Sequence, residues 1–145
     1  MKAVVIGCGR VGSAVALQLA AEGWEVTCVD EDPDALKRLR NWGGGFVVGH
    51  ALEATVLEAA GLAEADAAVV ATDGDNTNVV VGQVAQRRYG IDCVVVRLLD
   101  PRRAAFYEKL GLRTVCPTQT AISFLTDAVR ACSIGPPAGT AASGT

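Results

Sequence analysis

Val4-Val5-Ile6-Gly7-Cys8-Gly9-Arg10-Val11-Gly12 is an apolar run that breaks into three glycines spaced Gly-x-Gly-x-x-Gly. A second apolar run, Val26-Thr27-Cys28-Val29, ends on Asp30, eighteen positions after the last of those glycines. Each part has a physical job in holding a dinucleotide. Gly7 permits the tight turn out of a strand, Gly9 lets the backbone approach a pyrophosphate because it has no Cβ, and Gly12 lets a helix pack close to a sheet. The helix that follows offers free N–H groups and a positive dipole end to phosphates. The glycine spacing alone is a weak signal, but here a strand pattern precedes it, a helix pattern follows it, and an acid closes the next strand.

Working outward, short continuous apolar runs alternate with longer helical ones. The strands are expected at 2–7, 25–29, 45–49, 67–71, 92–97 and 113–116, and the helices at 10–22, 32–40, 52–60, 75–89, 101–110 and 118–132. Runs such as Ala67-Ala68-Val69-Val70-Ala71 suit strands buried on both faces of a parallel sheet. Strict alternation predicts an α/β fold of the Rossmann type, a doubly wound parallel sheet of six strands in the order 3-2-1-4-5-6. Asp32-Pro33 and Asp100-Pro101 read as an N-cap followed by proline at the first helical position, and Pro117-Thr118 opens the last helix in similar fashion. Gly23, Gly61, Gly90 and Gly111 each follow a helical pattern where a left-handed residue ends it. Residues 1–133 are expected to form the domain; 134–145, uncharged and rich in Gly, Pro, Ala, Ser and Thr, read as a flexible tail or a truncated linker.

The 145 residues suffice for one domain with a sizeable core, and half of them are apolar. A net charge of −3 removes the basic footprint of a nucleic-acid binder and the polybasic anchor of a membrane-surface protein. No apolar run approaches the roughly 18–20 residues that span a bilayer, and the N-terminus enters a strand pattern at once, which predicts no signal peptide. The five cysteines, Cys8, Cys28, Cys93, Cys116 and Cys132, fall at no metal-ligand spacing. They read as reduced, buried small hydrophobes, with Cys8 close enough to a helix N-terminus for its thiol to be pushed down.

Asp30 is placed to accept hydrogen bonds from the hydroxyls of an adenosine ribose, worth roughly 1.5–3 kcal/mol net because the acceptor is charged. The same carboxylate repels a 2′-phosphate, so NAD(H), or ATP or ADP, is expected over NADP(H). Glu31 adds charge in the same place, either touching ligand or as a solvated acid near a helix start. Arg10, beside the phosphate site, can bond phosphate oxygens or stand exposed. Arg97 ends the fifth strand on the carboxyl edge, where ligands bind in such sheets, within reach of a phosphate or an interface acid. Ala71-Thr72-Asp73-Gly74-Asp75-Asn76-Thr77-Asn78, at the end of the fourth strand, can line a nucleotide cleft, cap the next helix, or do both. His50, the single histidine, lies just past the third strand in Gly49-His50-Ala51. It is open to adenine contact or to plain exposure, and nothing beside it completes a catalytic set. The last helix carries Ala121, Ile122, Leu125, Val129 and Cys132 on one stripe widened by Phe124 and Ala128, either a subunit interface or ordinary core.

These residues resemble the TrkA N-terminal domain family, also called RCK N or KTN, over about 1–132. Val5-Ile6-Gly7-Cys8-Gly9-Arg10-Val11-Gly12 is similar to the family opening, and Val29-Asp30-Glu31-Asp32-Pro33 to its ribose-binding turn. Ala71-Thr72-Asp73 through Asn78 resembles its strand-four motif, with Val96-Arg97 through Pro101, Leu110-Gly111 and Pro117 following in order. His50 stands where the family usually has an aspartate, in Gly-Asp-Ala-Thr. The resemblance implies a cytosolic nucleotide-binding regulator of a potassium transporter or channel. Nucleotide would be held by Gly7, Cys8, Gly9, Arg10, Val11, Gly12, Asp30, Glu31, His50, Ala51, Ala71, Thr72, Asp73, Asn78 and Arg97. It also implies pairing through the last helix, assembly into a ring, and a place at the inner face of the plasma membrane through the membrane-embedded partner.

A regulatory binding module, not an enzyme, fits best, because one nucleotide fold consumes about 130 residues and leaves no room for a substrate domain. The alternatives are the isolated cofactor domain of an NAD-dependent oxidoreductase and a redox-sensing NAD(H)-binding transcriptional regulator.

Overall fold

The computed structural model describes residues 1–132; the domain end at 133 and the segment 134–145 lie outside the described residues. Six strands, β1 (Lys2–Ile6), β2 (Glu25–Asp30), β3 (Gly45–Val48), β4 (Ala67–Val70), β5 (Cys93–Arg97) and β6 (Arg113–Val115), form one sheet. The helices are α1 (Arg10–Ala21), α2 (Ala54–Ala59), α3 (Asp75–Arg87), α4 (Pro101–Lys109) and α5 (Pro117–Ala131). The sheet order is β3-β2-β1-β4-β5-β6 with every pairing parallel, the expected Rossmann-type winding.

Alternation along the strands divides the core. Val4 and Ile6 of β1, Ala68 and Val70 of β4, and Val94 and Val96 of β5 face a layer made by Val56 and Leu57 of α2, Val79, Val81 and Ala85 of α3, and Ala104 of α4. Ala3 and Val5 of β1, and Val26 and Cys28 of β2, face Ala16 of α1 with Ala35 and Leu39. This second layer stops short of the β5–β6 end. There Cys93, Val95 and Arg97 are half-buried, and Arg113 and Val115 are exposed. The helix that could have covered this half, α5, has no buried residue.

Several local expectations are corrected. Residues 32–40 do not form an α-helix; Pro33–Arg38 is a 3-10 helix, capped by the Asp32 carboxylate, which accepts the Asp34 N–H at 2.9 Å. Bonds from Ala35 N–H to Asp32 O and from Leu39 N–H to Leu36 O keep it at three-residue spacing, and Asn41, at φ +55°, turns the chain away. The helix expected at 52–60 begins only at Ala54, because Glu53 N–H closes a turn onto His50 O first, and a second 3-10 segment, Leu62–Glu64, follows it. α5 is capped by Cys116, whose Sγ accepts the Gln119 N–H at 3.5 Å. α3 starts after Gly74 with no side-chain cap, so neither Thr72, Asp73 nor Asp75 caps it. The Asp75 carboxylate instead accepts the N–H groups of Leu99 (2.8 Å) and Asp100 (3.1 Å), tying α3 to the loop after β5.

The turn from β1 into α1 depends on absent side chains. Gly7 has φ +95°, and a Cβ there would strike the Ala71 backbone; a Cβ on Gly12 would collide with the Gly7 carbonyl. Gly12→Ala therefore forces α1 off the loop. An overpacking loss of about 1–3 kcal/mol is expected, read as a lower urea midpoint at an unchanged m-value.

Candidate functional site

A cleft of about 340 Å³ opens at the carboxyl ends of the central strands, where the chain leaves β1 for one side and β4 for the other. Its wall is formed by Gly7 and Gly9 of the first turn, Val29 through Asp32 at the end of β2, Arg38, Gly49 through Ala51 after β3, and Ala71 through Gly74 with Thr77 after β4.

The Asp30 carboxylate organises one side. One oxygen accepts the Cys8 N–H at 2.7 Å, and the other accepts the Asp32 N–H at 2.9 Å. A charged acceptor thus holds the glycine turn against the end of β2, with lone pairs left toward the cleft. Next to it, α1 begins after Gly9 without a side-chain cap, and its first internal bond is Ser13 N–H to Gly9 O. The N–H groups of Arg10, Val11 and Gly12 precede that ladder, an N-terminal arrangement that suits anions.

The opposite side hangs on Asn78, 1% exposed. Its carbonyl accepts the Thr72 N–H (3.0 Å) and hydroxyl (2.5 Å), and its amide donates to Thr72 O (3.0 Å) and Arg97 O (2.8 Å). Arg97 Nη2 also donates to Thr72 O at 2.8 Å and lies 3.6 Å from the exposed Asp73 carboxylate, while its buried Nε meets no acceptor. Asn78 and Arg97 therefore brace the Thr72 loop from behind instead of facing the cleft.

Of the residues singled out from sequence, Gly7, Gly9, Asp30, Glu31, His50, Ala51, Ala71, Thr72 and Asp73 share the cleft wall; Cys8, Arg10, Val11, Gly12, Asn78 and Arg97 do not. Arg10 is exposed, and Val11 is 46% exposed. Cys8 is buried beside Cys28. A hydrogen bond from the Cys28 thiol pushes the Cys8 thiol down, against burial and the nearby Asp30 charge, with Arg38 helping; the same bond, with burial, pushes Cys28 up. The neighbouring thiol is the largest cause of this shift. Cys28 is buried as expected, but Cys93 and Cys116 are only half-buried and Cys132 is exposed.

The wall also holds Gly74 and Thr77, from the segment after β4 expected to line it, Val29 and Asp32, from the turn likened to the ribose-binding one, Gly49 beside His50, and Arg38, which the sequence did not single out. Arg38 carried no signal, because its place depends on the 3-10 winding that follows Asp32. Among the described residues, no helix is long and apolar enough to cross a membrane. No group of three or more His, Cys, Asp or Glu among them is arranged to hold a metal ion.

The TrkA-N domain family model matches residues 3–118, and the chain belongs to that family. It is similar to the Trk system potassium uptake protein TrkA of Streptomyces coelicolor, 41% identical over 116 residues, which are 79% of this chain and 52% of the relative. The chain thus spans about half the length of that curated relative. Among solved structures it resembles the Kef CTD of Shewanella denitrificans in its AMP-bound form, with TM-score 0.78, 25% identity, and coverage of 93% and 84% of the two chains. It shares its fold with the TrkA-N domain of the inner membrane protein ybaL of Escherichia coli, with TM-score 0.77, 19% identity, and coverage of 88% and 95%.

Asn78→Ala orphans the Arg97 carbonyl and the Thr72 N–H, each at about 1–3 kcal/mol. Loss of stability in urea is expected together with faster hydrogen exchange at the Thr72 amide, while exchange at the far end of α3 changes only with the global loss.

Proposed function

We propose that this domain is a nucleotide-binding regulatory domain of a potassium-transport system, not an enzyme, and that its cleft takes NAD(H) or ATP/ADP. The observation that carries the reading is the Asp30 carboxylate, held by the Cys8 and Asp32 N–H groups beside the glycine turn. An adenosine ribose would meet Asp30; the base would lie between Glu31 on one side and His50 and Ala51 on the other. The phosphates would run over Gly7 and Gly9 toward the free N–H groups of Arg10, Val11 and Gly12, then toward Ala71, Thr72 and Asp73. Cys8 contributes its backbone, and Asn78 and Arg97 act by fixing the Thr72 loop. Membership of the TrkA-N family and the name of the Streptomyces relative support the transport setting, and the AMP-bound Kef domain supports an adenine nucleotide.

The partners in this reading are a second copy and a membrane-embedded transporter or channel subunit, which would hold the domain at the inner face of the plasma membrane. α5 exposes Ile122 (50%), Phe124 (71%), Leu125 (69%) and Val129 (63%), and the β5–β6 half of the sheet lacks a covering helix. A second copy laying its α5 on that half would bury both surfaces, and pairs so formed would build the larger ring. Nucleotide acts on such an assembly only through different affinities for two of its states.

Three measurements test this. ADP or NAD⁺ at 100 times its Kd should add about 2.7 kcal/mol of stability. Asp30→Ala should weaken binding roughly ten- to hundredfold, the loss of about 1.5–3 kcal/mol from a charged acceptor, and Asp30→Asn should weaken it less. No shift with any adenine nucleotide would end the nucleotide reading. In light scattering, the wild type should run as a dimer or larger and Leu125→Asp as a monomer with an unchanged far-UV spectrum; a monomeric wild type would remove the α5 interface.

A further inference from the structure

His50 sits on the cleft wall between a backbone N–H and a carboxylate. The Leu52 N–H donates to its Nδ1 at 3.1 Å, so the neutral ring must carry its proton on Nε2. Nε2 faces the Glu31 carboxylate at 3.9 Å across the end of β2. The ring is 45% exposed and lines the cleft with its neighbours Gly49 and Ala51, so it is open to both solvent and ligand. Its carbonyl accepts the Glu53 N–H that precedes α2, and Gly49 N–H bonds Asp30 O, so this lip is tied to β2 and to the start of a helix.

We propose that His50 makes nucleotide affinity of this cleft proton-dependent, the neutral Nε2–H imidazole being the binding form. The proposal rests on the nucleotide reading above and adds how occupancy is regulated. Protonation puts a second N–H on Nδ1, directly against the Leu52 N–H, so the Gly49–Leu52 lip must move. It also turns the ring into a cation facing Glu31, with Asp30 and Asp32 on the same wall and Asp73 across the cleft. The imidazolium would be drawn to the acids that otherwise face the ligand. Arg38, the other cation on the wall, and Glu53, which follows on the same lip, set the remaining field. Linkage gives the sign: a ligand that prefers the neutral form loses up to tenfold in affinity per pH unit below the midpoint and expels a proton when it binds.

The test uses NAD⁺ and ADP-ribose, which carry no phosphate that titrates in this range, with Kd measured from pH 8.5 to 5.5 and proton release followed in weak buffer. The wild type should bind best at high pH and weaken at least fivefold by pH 5.5. His50→Gln, which keeps a side-chain N–H donor but cannot titrate, should show a flat profile with no proton release, whatever its affinity at pH 8. Long-range ¹H–¹⁵N NMR should show Nε2–H in the bound state. A flat wild-type profile, or the same slope retained in His50→Gln, would overturn the proposal while leaving nucleotide binding intact. No binding by the wild type at pH 8 would remove the nucleotide reading and the proposal with it.

Discussion

One carboxylate ties the glycine turn to the end of β2. Asp30 ends a central strand, and its two oxygens hold Cys8 N–H and Asp32 N–H. The glycine turn has no side chain of its own to fix it, so its position against β2 is set by this charge-assisted bond and by Gly7 N–H on Val29 O at 2.8 Å. The entry to α1 and the cap of the 3-10 helix that carries Arg38 both start from that corner. A residue that would meet a ribose is also the residue that shapes the loop meant for phosphates, so binding and local architecture cannot be altered separately there.

The winding was legible because the signals behind it are local and redundant. Apolar runs of four to six residues, separated by caps and left-handed glycines, specify buried parallel strands, and the handedness of crossovers does the rest. The turn's glycines were legible because Gly7, at φ +95°, and Gly12, against the Gly7 carbonyl, stand where a side chain does not fit, and Asp30 because an acid closes the second apolar run. What escaped was set by tertiary geometry. Asn78 and Arg97 carry the types of ligand-binding residues, and only the structure shows them turned toward Thr72 O from behind. The 3-10 helix at Pro33–Arg38 escaped because its composition suits an α-helix, and its length is limited by the turn at Asn41 and the glycines after it.

The two ends of the sheet are built differently. Toward β3, the α1 layer and Pro33–Arg38 cover one face. Toward β6 the same face is open, and α5 leaves with its apolar residues in solvent. A single copy thus carries an unfilled half-layer and a helix with nothing to fill. Those two surfaces explain why the last helix reads so apolar for a segment that contributes nothing to its own core.

The brevity of β6 has a consequence of its own. Three residues headed by Arg113 form the outer strand on the side where apolar surface is exposed. A long, flat edge there would invite other chains to extend the ladder indefinitely, because edge pairing has no built-in stop. Three residues and a cation give it little to pair with. In the pairing proposed above, association would fall to side-chain packing of helices, which saturates once a helix is covered. The shortest strand in the fold would thereby favour counted assemblies over open-ended fibres.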